Sequence, residues 1–318
     1  MKIQGWVFFI VLFSFVMIVD SVQSQQVENP IWVQMEQGIS QYDEGRLGDA
    51  LKTFRLVVER DPSYANAHMW IGHVLAAEGE FEAARRKYED ALAEGRNFFP
   101  RSKRIEAYYS LAEILMNMGD LEQTRIYLER VFDEGREDEF PPSRREAVVN
   151  KFISEGPDKA LELYRLNDKA VRRAYQLYGE LELREGDYGK ALEHLLFSIM
   201  TSLSLAIETR LSEDPEYIFV QTEMNPGLTG QFYTENTARL LIEAGNNRKL
   251  SSYFDSIGLY RQLFLLGTAL LGIDEPGKAE KIWLLVTDNR SAGIWFEFAR
   301  RQIGNPDLEI LPAALQYR

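Results

Sequence analysis

The amino-acid sequence predicts an all-α chain of stacked helical hairpins, about six to seven pairs with one irregular insertion, on three observations. The first is a recurring spacing: a small residue, a turn residue seven positions on, a small residue five further, a large apolar residue after four more, and a small or apolar one after three. Five segments carry it: Gly38, Gly45, Ala50, Phe54, Val57; Gly72, Gly79, Ala84, Tyr88, Ala91; Ala112, Gly119, Thr124, Leu128, Val131; Gly179, Gly186, Ala191, Leu195, Ser198; and Gly267, Asp274, Ala279, Trp283, Val286. The second is that the first two segments are offset by 34 residues, the length of a two-helix repeat. The third is composition: 318 residues at 45% hydrophobic can build a large core, and a stacked array extends past the size at which a single globule stops growing.

The chemistry of each position explains the helices. The small first residue lets two helices approach closely, and the Gly seven positions on ends the first helix by adopting a positive φ. Ala84, Tyr88 and Ala91 fall four and three residues apart, so they share one helix face, where the ring fills the space its small neighbours leave. One hairpin cannot bury both of its apolar faces, so hairpins stack and share a core. Pro62 stops the first unit. In the last unit Asp274, Glu275 and Pro276 replace the Gly turn, a departure that still reads as a turn. Ala112 and Gly179 are 67 residues apart, one short of two periods. The segment Arg144 to Asn167 therefore supplies an intervening hairpin, with Gly156, Ala160, Tyr164 and Asn167 repeating the second half after a shorter turn.

These residues resemble the tetratricopeptide repeat family, most closely from Ala65 to about Glu94, where Trp70, Gly72, Gly79, Phe81, Ala84, Tyr88 and Ala91 stand in the repeat positions. The resemblance implies a right-handed superhelix of helical hairpins, with the first helix of each hairpin lining an inner, concave wall. With the amino-terminal features that follow, it points to an exported bacterial member of that family.

Residues 1–24 differ in kind. Lys2 precedes an apolar run from Trp6 to Val19, and Val22, Gln23 and Ser24 occupy the positions a signal peptidase reads. A run of 14 residues is short for a membrane span of about 20, so the segment reads as a cleaved signal peptide and the protein as periplasmic or secreted. The chain has no cysteine, which excludes disulfides, thiolate metal ligation, a thiol nucleophile and a lipobox anchor. The signal holds one Lys and one Asp, so its loss leaves the formal net charge at −13. That acidity disfavours nucleic acid and anionic membrane surfaces.

The organisation follows as 1–24 signal, 25–135 units one to three, 143–200 units four and five, 201–256 a degenerate unit with a long loop, 257–303 a repeat-like unit and capping helix, and 304–318 a tail. Between units two and three, Arg96 to Arg104 reads as a loop with an aromatic plug from Phe98 and Phe99. Glu137, Asp138 and Glu139 read as a solvated loop, and Thr234 or Asn236 as caps of the insertion helix. Ser212 to Gln231, with Pro215, Pro226, Gly227 and Gly230, is long enough for a binding element.

The sequence offers no assembled catalytic chemistry, cofactor motif or metal site. His68 and His73 are five apart, off the spacing that puts two ligands on one face, and Gly227 to Gly230 lacks the Lys-Ser/Thr ending of a phosphate loop. What remains is the concave wall. Alternate turns of the first helices place Trp32, Met35, Ile39, Tyr42, Met69, His73, Tyr109, Met116, Arg173 and Gln176 there, apolar at the start and polar further on. The expectation is a non-catalytic scaffold or adaptor of the bacterial cell envelope that binds a peptide or helix of a partner protein in this groove. The alternative is a periplasmic helper of solute transport that encloses a small apolar ligand and docks on a transport receptor.

Overall fold

The computed structural model describes residues 29–135, 142–163, 169–213 and 232–308. The signal segment, the acidic run 137–139, Tyr164 and Asn167, the stretch 214–231 and the tail from 309 lie outside them. Fifteen α-helices and no strand occur among the described residues. They are α1 (Ile31–Asp43), α2 (Leu47–Arg60), α3 (Ala65–Ala77), α4 (Phe81–Ala93), α5 (Lys103–Met118), α6 (Leu121–Glu134), α7 (Pro142–Glu155), α8 (Pro157–Leu163), α9 (Lys169–Glu185), α10 (Tyr188–Glu213), α11 (Glu235–Ala244), α12 (Arg248–Ser256), α13 (Leu259–Gly272), α14 (Pro276–Thr287) and α15 (Ile294–Gln302).

The recurring spacing is a packing rule. In four hairpins a Gly on the first helix lies against a large side chain sixteen positions later on the second. A Cβ built on Gly38 would stand 2.5 Å from the Phe54 ring, on Gly72 2.6 Å from Tyr88, on Gly179 2.6 Å from Leu195, and on Gly267 2.3 Å from Trp283. These distances are shorter than van der Waals contact, so the absence of a side chain is what lets the ring or leucine reach the opposite backbone. Phe54, Tyr88, Leu195 and Trp283 are correspondingly buried. The departing turn in the last unit keeps the same backbone: Asp274 takes φ 65°, as Gly79 takes 80° and Gly186 takes 80° in theirs. Asp tolerates the left-handed region better than most side chains, so the hairpin closes normally.

Hairpin α1–α2 stacks on α3–α4, and α3–α4 on α5–α6. Beyond that the stack departs from the sequence expectation. Helices α7 and α8 form as the spacing requires, with Gly156 at φ 92° between them, but they do not sit between units three and five. Helix α9 packs directly on α5 and α6, with Phe132 of α6 between Tyr175 and Tyr178 of α9 at ring distances of 4.8 and 5.7 Å. The α7–α8 hairpin lies instead against α10, where Phe152 is fully buried and Arg145 meets Glu193. The aromatic surface of α9 matches the exposed end of unit three, so it takes the stacking position and leaves the intervening hairpin at the side.

The insertion docks on this displaced hairpin. Its expected side-chain caps do not act: Thr234 precedes α11 without a side-chain cap bond, and Asn236 lies inside the helix. The buried carboxylate of Asp158, from α8, caps the helix in their place by accepting from the backbone N–H of Asn236 and Thr237 at 2.9 and 3.0 Å. Gly156 admits the Tyr233 backbone so closely that a Cβ would lie 2.4 Å from the Tyr233 carbonyl oxygen.

Helix α10 has 26 residues and is apolar enough from Tyr188 to Arg210 to cross a membrane by length and composition, but 78% of that window is buried inside the protein. It packs on α9 and α13 and forms the spine of the carboxyl-terminal half. Its buried hydroxyls are satisfied locally and across the interface: Ser202 donates to the Ser198 carbonyl at 2.7 Å, and Ser198 to the Gln262 side chain at 2.7 Å. Helix α15 closes the array, with Trp295 and Phe298 5.6 and 5.9 Å from Phe264. Of the two rings in the loop between units two and three, Phe98 is the plug and Phe99 is 79% exposed. The Asn66 amide holds the Phe99 backbone by donating to its carbonyl at 2.6 Å and accepting from its N–H at 3.1 Å.

Replacing Gly72 by Ala should destabilise the protein by about 1–3 kcal/mol through overpacking against Tyr88, despite the better helix propensity of Ala. Gly48→Ala, where nothing lies within 4 Å of the new Cβ, is the control and should be neutral or stabilising. Thermal unfolding of the two variants by circular dichroism decides it, and equal melting points would refute the packing rule.

Candidate functional site

The concave wall is built by the first helices α1, α3, α5, α9 and α13. The structure divides the ten residues expected on it into three groups. Trp32 is 61% exposed at the amino-terminal end of the stack. Ile39, Tyr42, His73 and Gln176 are half-buried, and Arg173 is exposed. Met35, Met69, Tyr109 and Met116 are buried, Met69 and Met116 almost completely. This corrects the expected apolar start of the groove. Successive first helices pack flank to flank, so their inward-turned methionines fill the seams: Met35 joins Phe54 and Ile71, Met69 joins Tyr88 and Leu111, and Met116 joins Leu128. The accessible wall is more polar than its sequence pattern.

Along the amino-terminal part of the wall runs an aromatic ladder, with Tyr42, Trp70, His73 and Tyr88 in successive ring contacts at 5.4, 5.0 and 5.4 Å. His73 Nδ1 lies 2.9 Å from the Tyr88 hydroxyl and Nε2 lies 3.5 Å from Glu106. Lys103 donates to the same carboxylate at 2.6 Å. Burial pushes the Glu106 carboxyl up, but the hydrogen bonds from His73 and Lys103 outweigh it and hold the group at about 2. His68 is apart from this network, with Nε2 2.9 Å from the Pro62 carbonyl, and His194 packs against Tyr178 while facing Glu182 at 2.6 Å. The three histidines thus occupy three separate places. No group of three or more His, Asp or Glu positioned to hold a metal occurs among the described residues.

Further along, the wall opens into a cleft of about 400 Å³. Tyr109, Arg173 and Gln176, three of the expected residues, meet there, and the sequence reading missed their neighbours Arg172, Arg261 and Trp295. The Arg173 guanidinium stacks 4.3 Å from the centroid of the Tyr109 ring, and the Tyr109 hydroxyl donates to Glu113 at 3.4 Å. Burial, ahead of the negative charge of Glu113, pushes the Tyr109 phenol up. Arg261 from α13 pairs with the buried Glu180 of α9 at 2.7 Å and lies 5.9 Å from the Trp295 ring. These residues come from helices separated by long stretches of chain and meet only because α9 stacks on α5 and the capping helix folds back. Trp295 was visible in the sequence as a cap residue; nothing there signalled Arg261.

A second pocket, of about 290 Å³ and largely apolar, lies between the end of α10 and α12, bordered by Leu205, Ala206, Leu250 and Tyr253.

Because Glu106 is held below its usual 4.5, its contribution to stability is present above that value and disappears as pH falls through about 2. The stability difference between the native protein and Glu106→Gln, followed by urea unfolding between pH 5 and pH 2, should therefore shrink toward zero at the acid end. A difference that stays constant over that range would refute the assignment.

Residues 35–98 match the tetratricopeptide repeat family model, and residues 105–133 match a second model of the same repeat. No curated protein matches the sequence. Similar solved structures include YrrB, described as a tetratricopeptide repeat protein with an unusual peptide-binding site, at 14% identity over 90% of this chain and 97% of that one, with a TM-score of 0.44. Pseudomonas aeruginosa pilF is 16% identical over 86% and 97% of the two chains, with a TM-score of 0.40. A tetratricopeptide repeat protein of Parabacteroides merdae is 17% identical over 90% and 97%, with a TM-score of 0.31. The segments at residues 35–98 and 105–133 are thus tetratricopeptide repeats, and the hairpin packing continues beyond them.

Proposed function

We propose that the protein is a non-catalytic adaptor or assembly scaffold of the bacterial cell envelope, which holds a peptide or helical segment of a partner protein against its concave wall. The observation that carries this reading is the cleft of about 400 Å³, where three stacked first helices and the capping helix leave polar and aromatic side chains accessible. Tetratricopeptide repeats are protein–protein interaction scaffolds in general, which supports both the partner class and the absence of catalysis. Arg173 and Gln176 line the cleft and make the specific contacts. The envelope setting rests on the amino-terminal signal pattern.

A photo-crosslinking side chain at Gln176 should trap one partner segment in whole cells, whereas the same group at the exposed Arg86 on α4 should not. Identical adducts from both positions, or none from Gln176, would rule out the groove. Mass analysis of the protein from the same cells should place the mature amino terminus at Gln25; an intact Met1 in a cytoplasmic fraction would overturn the export assignment.

The apolar pocket between α10 and α12 supports a second reading, a solute-transport helper with a small apolar ligand. A fluorescent apolar probe should then bind and be lost in Ala206→Trp; unchanged binding in that variant removes this reading.

A further inference from the structure

Arg172 is only 8% exposed, yet no carboxylate pairs with it among the described residues. Among the described residues its side-chain hydrogen bond and its ring contact are both with Tyr253: Nη1 donates to the Tyr253 hydroxyl at 3.0 Å, and the guanidinium lies 5.8 Å from the Tyr253 ring centroid. A guanidinium keeps its proton at any physiological pH, so burial cannot be relieved by neutralisation. Holding an ion out of water without a counter-charge is unfavourable, and a bound anion offsets that cost.

Arg172 lines the same cleft as Arg173 and Arg261. Arg173 is exposed at the rim and fixed by its stacking on Tyr109. Arg261 pairs through Nη2 with Glu180, but its Nε is buried and makes no hydrogen bond. Of the acidic groups nearby, Glu180 is engaged by Arg261 and Gln176, Glu113 accepts from Tyr109, and Asp255, the other carboxylate of the lining, forms no ion pair with Arg172, Arg173 or Arg261. Three guanidiniums so converge in one cleft of a chain whose net charge is −13. Two of them lie below the rim, so an anion must reach them on a stem of its own, with the Tyr109 and Trp295 rings as apolar walls for that stem.

We propose that this cleft is an acidic-side-chain subsite, in which a Glu-like carboxylate of the segment held on the concave wall inserts between Arg172, Arg173 and the Nε of Arg261. The proposal rests on the groove reading given above. A planar carboxylate can accept two parallel bonds from a guanidinium, which sets the orientation of the segment as well as adding affinity.

The test uses the full chain labelled with ¹⁵N-arginine, whose Nε–H signals report each guanidinium. Glutarate and acetyl-glutamate amide, titrated at constant ionic strength, should shift the Arg172 and Arg261 signals saturably, and matched chloride should not. Arg172→Gln and the rim variant Arg173→Gln should each weaken acetyl-glutamate amide binding by about ten-fold or more, the loss expected for one buried charged partner. Arg173→Gln decides the matter if Arg172→Gln fails to fold. Shifts reproduced by chloride overturn the subsite. Stronger binding of inorganic phosphate overturns the carboxylate assignment, and stronger binding of acetyl-glycine, whose carboxylate is a chain terminus, overturns the side-chain assignment. A partner still crosslinked at Gln176 in Arg172→Gln sinks the subsite and leaves the groove. Arginine shifts in a protein that crosslinks no partner keep the subsite and sink the groove reading.

Discussion

The structure depends on one contact made again and again: a residue with little or no side chain on the first helix of a hairpin faces a large side chain on the second. Where the first residue is Gly, as at Gly38, Gly72, Gly179 and Gly267, the approach is so close that a single carbon would clash. The contact sets the distance and angle between paired helices, and those in turn set the curvature of the stack and the width of the wall inside it. Because stability in such an array is a sum over hairpins and their interfaces, the contact also transmits order from one unit to the next.

The same logic explains what happens to the hairpin α7–α8. A repeat holds its place in the stack only if its faces complement both neighbours. The aromatic side chains of α9 satisfy Phe132 at the end of unit three, so the intervening hairpin is displaced onto α10. There it supplies Asp158, which caps α11. A segment that would have been one more repeat thus becomes the support of the insertion. The long α10 serves both layers, and its burial accounts for a hydropathy that by composition alone would suit a membrane span.

Direct stacking of α9 on α5 is also what creates the cleft. It brings Arg172 and Arg173 beside Tyr109 and opposite Arg261, and the capping helix closes the side with Trp295. Had α7–α8 remained in line, these residues would be separated by a further repeat. The site of proposed recognition is therefore a product of an irregularity in the array, which is where a repeat protein can differ from its neighbours without losing its core.

The residue pattern by itself determined the hairpins. The sixteen-residue spacing of small and large partners, the turn residues and the shortened period around Gly156 located the hairpins α1–α2, α3–α4, α5–α6, α7–α8, α9–α10 and α13–α14, but not α11–α12, because each of the six rests on contacts local in the chain. It also placed Arg173, Gln176 and Tyr109 on the inner wall. It did not reveal which inner-wall side chains remain accessible, since Met69 and Met116 occupy wall positions but sit in seams between adjacent helices. Nor did it reveal that Asp158 caps a helix 78 residues further on, or that Arg172 is buried with no carboxylate partner among the described residues. Those outcomes belong to the tertiary structure, because they depend on which hairpin faces which, and that choice is made by surfaces that meet only after the helices have formed.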